Sequence, residues 1–198
     1  MNTIQISFLT ILSAFYITYL AKMMLLRSQG ITGNLLGKGN KNKKALIIEL
    51  FLRAVTFIGA VIQYASVIFQ KAVWSIPINL TIQTIGFVLT FIGVVFFILA
   101  VVTMRNNWRA GFSSEQKTNL VTGGIYRISR NPAFVGFDLL YIGCALAFPN
   151  IVNSAAAVMS VILFHIQILG EEGYLASAFG QEYEKYQIKV NRYWGRKP

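Results

Sequence analysis

The sequence predicts an all-α integral membrane protein: a bundle of about five transmembrane helices, N-terminus outside, C-terminus cytosolic, with an amphipathic helix near the C-terminus. Three observations predict it. Of 198 residues, 55% are hydrophobic and 13% charged, against about 25% charged in an ordinary soluble domain. Apolar runs long enough to cross a bilayer recur along the chain. Lysine and arginine fall in alternate connections between those runs, the pattern that orients membrane helices.

The first span covers about 4–26. The stretch before it lacks a basic leader and a small-residue cleavage site, so it reads as a retained helix rather than a signal peptide. A polar segment follows, with Arg27, Lys38, Lys41, Lys43 and Lys44. The second span runs from about Ala45 to Phe69, and a short tip with Lys71, Trp74 and Pro77 turns the chain. The third covers Ile78 to Met104, long enough to tilt or to project into the cytosol. The connection 105–130 carries Arg105, Arg109, Lys117, Arg127 and Arg130. Two helices at about 132–148 and 151–169, joined by Pro149-Asn150, should form an antiparallel hairpin. A charged, aromatic tail completes the chain.

The connections 27–44 and 105–130 and the tail each hold five lysines or arginines, the tip near 71 holds one, and the Pro149 turn none. This asymmetry sets the orientation given above. The chain divides into a three-helix membrane region, 1–104, and a hairpin-plus-tail region, 105–198. The formal charge of +11 belongs to these connections and not to a basic stripe, so nucleic acid is excluded as a partner and membrane lipids are expected instead. Cys144 reads as a small buried apolar side chain. With His165 the only histidine, no metal site is expected.

Charges within spans are costly and mark polar interiors or pairs. Glu49 and Arg53, four apart on one helix face, are expected to pair. Asp138, about two turns into the fourth span, has no local partner and is expected to have an interior polar role. The glycine pairs Gly86/Gly93 and Gly136/Gly143 are expected where helices pack closely. GNLLGKG is one residue short of a phosphate loop and lacks the Ser or Thr after Lys38, so the segment reads as a flexible cytosolic linker.

At the mouth of the fourth span, Asn131 suits an N-cap and Pro132 the first helical position. The exposed N–H groups there, the helix dipole and Arg130, with Arg127 nearby, suit an anion. The fifth span leaves the bilayer on the same side through Glu171 and Glu172. In residues 171–186, Tyr174, Leu175, Ala178, Phe179, Tyr183 and Tyr186 fall largely on one face, as in an interfacial helix. Antiparallel packing brings the acids near Arg130. A pocket with an anion-binding end, an acidic end and aromatic walls suits a ligand with both signs of charge, such as S-adenosylmethionine.

LVTGGIYRISRNPAFVG, then a hairpin, then EEGYLASAFGQEYEKYQIKVNRYW, resembles the isoprenylcysteine carboxyl methyltransferase family and its phospholipid methyltransferase-like bacterial relatives. The likeness covers about 105–194. It implies an integral membrane, S-adenosylmethionine-dependent methyltransferase in a bacterial or archaeal plasma membrane, with a cytosolic cofactor pocket. A lipophilic or lipid acceptor (a carboxylate, thiol or phospholipid amine) would reach that pocket from the bilayer. By matching position, Gly124, Tyr126, Arg130, Asn131, Pro132, Phe134, Gly136, Glu171, Glu172, Phe179, Tyr183 and Tyr186 become candidate cofactor-binding residues. Glu171 and Asp138 are the candidate catalytic groups, as general bases for an amine acceptor. Asn131 replaces the family's usual histidine, Phe134 its commoner tyrosine, and Gln167 an arginine found in many relatives. Absence of that arginine counts against a prenylcysteine carboxylate as acceptor. Membrane sterol reductases, which bind a nicotinamide cofactor, share a similar Arg-x-Pro stretch but not the paired glutamates with the aromatic tail. A non-enzymatic scaffold whose arginines hold lipid headgroups is the remaining alternative.

Overall fold

The computed structural model describes residues 1–39, 41–70, 76–77, 79–112 and 119–197. Lys71 and Trp74 of the expected tip, and Lys117, lie outside these. Among the described residues the architecture is all-helical: α1 (Thr3–Ser28), α2 (Lys43–Ile68), α3 (Leu80–Met104), α4 (Pro132–Ala147), α5 (Ile151–Phe179) and α6 (Gln181–Lys189), with short 3-10 turns at Arg105–Asn107 and Gly124–Arg127. Among the described residues four helices are long and apolar enough to cross a membrane, and α4 is a shorter apolar helix of 16 residues, about 24 Å at the usual rise. Phe57, Leu80, Val102 and Val158 are all more than half exposed. A row of large apolar side chains around a bundle is what lipid contact requires and what a water-soluble surface avoids. The protein is therefore a multi-pass integral membrane protein.

Each start has a local cause. Asn42, Asn79 and Asn150 accept from the first-turn amides of α2, α3 and α5, and Pro132 occupies the first turn of α4, where its missing N–H is not needed. The turn between α4 and α5 is tied by Asn153, whose Nδ2 donates to the carbonyls of Cys144 and Phe148, each at 3.1 Å. Asn150 Nδ2 donates to Ser66 Oγ at 3.0 Å, fixing the hairpin to α2.

α4 is the centre of the bundle, packed against α3 on one side and α5 on the other. Its contact with α3 is made backbone to backbone. A Cβ on Gly93 would stand 2.7 Å from the Gly136 carbonyl oxygen, and one on Gly86 would stand 2.5 Å from that of Gly143. The expected glycine pairs are thus one antiparallel seam, Gly86 facing Gly143 and Gly93 facing Gly136. The aromatic core lies beside it: Phe15 of α1 stacks on Phe97 of α3 at 4.3 Å and meets Phe137 of α4 edge-on at 4.8 Å. Cys144 is buried in this core.

Three expectations change. The segment 31–39 is no loose linker. Leu35 and Leu36 are buried, and this strand-like stretch pairs with the connection after α3, Leu35 N donating to Ala110 O and Ala110 N to Gly33 O, both 2.8 Å. Glu49 does not bond to Arg53. Its partner is Lys41, at 2.6 Å, because the folded segment carries that lysine onto the acid and buries both. Finally, 171–186 is not one interfacial helix. α5 continues to Phe179, the chain breaks at Gly180 with φ +49, a conformation that suits glycine, and α6 begins anew. Its Tyr183 and Tyr186 are buried against Phe96, Ala100, Ile125 and Tyr126, so the aromatic face of α6 covers protein and not lipid.

Candidate active site

The end of α5 and the mouth of α4 meet, as the charges predict. Glu172, buried, accepts from Arg130 Nη2 at 2.8 Å, Arg130 Nε at 3.2 Å and Asn131 Nδ2 at 3.0 Å. Its second oxygen accepts from Arg192 of the tail, at 2.9 Å and 3.1 Å. These bonds raise the Arg192 guanidinium further above its ordinary range. The remaining Arg130 nitrogen donates to Val190 O at 2.7 Å and more weakly to Gln187 O at 3.4 Å. Arg130 is therefore consumed by the protein: it fastens the tail and α6 to the α4 entrance and does not point, unpaired, at an anion. The tail is strapped further by Arg130 N to Asn191 O at 3.1 Å and Gly195 N to Ile128 O at 2.7 Å.

Beside this clamp lies a cavity. Its walls include Trp108, Arg109, Gly111 and Phe112 after α3; Tyr126, Arg130, Asn131, Ala133 and Phe134 at the α4 mouth; Glu171, Tyr174 and Leu175 on α5; Tyr183 and Tyr186 on α6; and Leu35 from the first connection. Seven of the expected site residues are thus brought to one chamber: Tyr126, Arg130, Asn131, Phe134, Glu171, Tyr183 and Tyr186. Phe112 stacks on Tyr174 with centroids 5.1 Å apart, giving a flat aromatic wall. Tyr186 Oη donates to Tyr126 O at 2.6 Å. Burial pushes the hydroxyls of Tyr126, Tyr183 and Tyr186 up, so they stay protonated. Tyr186→Phe leaves that buried carbonyl with no hydroxyl donor. It should lower stability by about 1–2 kcal/mol, read as the thermal midpoint of the purified protein in detergent.

The other expected residues do different work. Glu172 is the clamp just described, behind the wall. Gly124 has φ +56 and packs on Thr103, where a Cβ would lie 2.8 Å from Cγ2. Gly136 belongs to the α3–α4 seam, Pro132 starts α4, and Phe179 packs at the edge of the α6 core. Asp138 does not line the chamber, whose deepest α4 contribution is Phe134, one turn nearer the mouth. Its Oδ1 is buried without a partner among the described residues. Its charge is felt by Tyr193, whose hydroxyl bonds to His165.

Glu171 has the setting a cation needs. Its Oε1 accepts from Gln167 Nε2 at 3.0 Å. Among the described residues no lysine or arginine forms an ion pair with it, and nothing donates to its Oε2. Sequence reasoning missed Leu35, Trp108, Phe112, Asn119, Leu120 and Val121 as wall residues. They sit in connections without helical periodicity, and only the apolar residues inside otherwise polar segments signalled them.

Residues 80–182, more than half of the chain, match the sequence model of the family described as phospholipid methyltransferase. A rice (Oryza sativa subsp. indica) protein named "Probable protein-S-isoprenylcysteine O-methyltransferase" is 32% identical over 115 residues, 56% of this chain and 59% of that protein. The protein-S-isoprenylcysteine O-methyltransferase of Schizosaccharomyces pombe is 40% identical over 74 residues, 36% of this chain and 30% of that one. The chain thus spans only part of the length of these eukaryotic relatives. Among solved structures, the eukaryotic intramembrane Ras methyltransferase ICMT is similar with a TM-score of 0.52 and 26% identity, over 80% of this chain and 56% of that one. From the matched segment, which holds both the α4 mouth and the paired glutamates, the chain belongs to the phospholipid methyltransferase family.

Proposed function

We propose that this protein is an integral membrane methyltransferase that uses S-adenosylmethionine and methylates a lipophilic acceptor presented by the bilayer. The observation that carries the proposal is Glu171: a carboxylate in an aromatic chamber, held by one neutral amide and in no ion pair among the described residues. The site fits the donor. Glu171 complements its positive charge, the Phe112–Tyr174 stack offers a face to the adenine, and Ala133 and Phe134 of the first α4 turn border the same space.

When bound, S-adenosylmethionine supplies a methyl group on a sulfonium, transferred in line without a metal or a covalent enzyme intermediate. The chain's part is alignment and exclusion of water. Trp108, Tyr183 and Tyr186, all buried, close the back of the chamber. Arg130, Glu172 and Arg192 hold the α4 mouth and the tail in register. A carboxylate or thiolate acceptor needs no base; for an amine, Glu171 is the chamber carboxylate that would take the proton. We place the chamber on the cytosolic side and the N-terminus outside, from the basic connections that meet there.

Two alternatives lose ground. A scaffold holding a headgroup at the α4 mouth would use Arg130, which is spent on Glu172 and two carbonyls. A reductase is separated by experiment: S-adenosylhomocysteine, and not NADPH, should raise the thermal midpoint of the purified protein. Glu171→Gln removes the charge and keeps the shape. It should weaken binding of labelled S-adenosylmethionine by at least about tenfold, the worth of a charge-assisted hydrogen bond, with an unchanged melting profile. Normal affinity in that variant would remove Glu171 from the site.

A further inference from the structure

Behind Glu171 runs a buried polar chain that leaves the chamber and crosses to the first connection. Gln167, 3% exposed, donates from the same Nε2 to Glu171 Oε1 at 3.0 Å and to Glu49 Oε1 at 3.3 Å. Two carboxylate acceptors leave no freedom in the amide's orientation, since only the –NH2 end satisfies both. Glu49 in turn accepts from Lys41 Nζ at 2.7 Å and 2.6 Å and from Gly37 N at 2.8 Å. Lys41 is as buried as its partner, with 4% and 1% of the side chains exposed, and also donates to Leu35 O at 3.1 Å. Its ammonium lies 4.5 Å from the centroid of Phe112, the ring that stacks on Tyr174.

A lone buried ion pair is poor evidence of stabilisation, because loss of hydration offsets the attraction. This one has a directional output. It holds Glu49 where Glu49 can hold Gln167, and Gln167 is the one described hydrogen-bond donor to Glu171. The same lysine backs the aromatic wall. Given the donor reading above, on which this inference rests, we infer that Lys41, Glu49 and Gln167 are positioning residues. They aim the Glu171 carboxylate at the positive charge of the methyl donor, and the folded stretch 31–39, with Lys41, is thereby a working part of the donor site. Gln167 aims without adding charge: an arginine there would form an ion pair with Glu171, whereas the amide only orients it.

The test uses the full-length chain in lipid nanodiscs and two ligands, tritiated S-adenosylmethionine and 5′-methylthioadenosine, which keeps the nucleoside and thioether but carries no positive charge. Gln167→Met, which retains volume and loses the amide, and Glu49→Gln should each weaken S-adenosylmethionine on the order of tenfold and leave 5′-methylthioadenosine unchanged. Lys41→Met should do the same to S-adenosylmethionine, and Lys41→Arg should restore its affinity. Equal losses for both ligands would show a merely structural role and overturn the inference, as would unchanged affinity for both in Gln167→Met. Should Lys41→Met fail to fold, Gln167→Met alone decides. Failure of the unsubstituted chain to bind S-adenosylmethionine is a separate result that removes the donor reading itself.

Discussion

Glu172→Ala is expected to be among the most damaging single substitutions in the protein, lowering stability by about 3–5 kcal/mol and abolishing donor binding. The carboxylate is buried and holds two arginines, of which Arg130 is nearly as buried and Arg192 about a third exposed. Removing one partner of a buried pair leaves the other charge in a medium that cannot solvate it, and that penalty is about 3–5 kcal/mol. Here Arg130 bears most of it, since water reaches Arg192. Asn131, which precedes α4 and does not cap it with its side chain, also loses its acceptor, at 3.0 Å, so the α4 mouth loosens together with the tail. Glu172→Gln keeps one carbonyl acceptor and should fall between. Thermal unfolding in detergent separates the two variants. A Glu172→Ala protein with wild-type midpoint would show that the clamp carries no stability. Arg130→Met in the Glu172→Ala background should recover part of the loss, because the stranded charge is then gone.

The second large effect belongs to the α3–α4 seam. Gly93→Leu and Gly136→Leu each place a side chain where the opposing backbone lies 2.7 Å and 2.8 Å from the first added carbon. Backbone cannot step aside as a side-chain tip can, so the helices must separate, and overpacking of this kind costs about 1–3 kcal/mol even when one or two methylenes are added. Leucine should exceed that range and shift α4 bodily, carrying Ala133 and Phe134 away from Glu171. We expect poor recovery from the membrane and loss of donor binding for both variants. Gly93→Ala should be milder and Gly173→Ala, where a Cβ meets nothing within 4 Å, neutral. Equal behaviour of Gly93→Ala and Gly173→Ala would refute close packing at the seam.

The extent to which these features were legible in the sequence varies with their cause. Spans were readable because lipid imposes composition: α1, α2 and α3 begin and end within a few residues of the apolar runs. The end of α5 was not, since the expected stop near 169 followed the loss of hydrophobicity, whereas the helix persists until the left-handed turn at Gly180. A helix ends where its backbone is broken, not where water begins. The meeting of Glu172 with Arg130 was foreseeable from charges placed at the same end of a hairpin. The partner of Glu49 was not. The four-residue rule picks Arg53 on the same helix, and the pairing with Lys41 exists only because the stretch before α2 brings that lysine back onto the acid. Asp138 shows the limit of ranking ionisable residues by rarity: its isolation in sequence is real, yet it stands apart from the chamber.

The pairing of residues 33–35 with Ala110 has a consequence for how such proteins can be taken apart. The matched segment, 80–182, excludes Leu35, Lys41 and Glu49, which furnish one side of the chamber and the anchorage of its acid, and Arg192, which closes the tail clamp. Transplanting that segment into another scaffold would deliver the recognisable signature with its flank and its fastening removed. A functional exchange between homologues must carry the stretch from Gly33 to Glu49 and the C-terminal strap along with it.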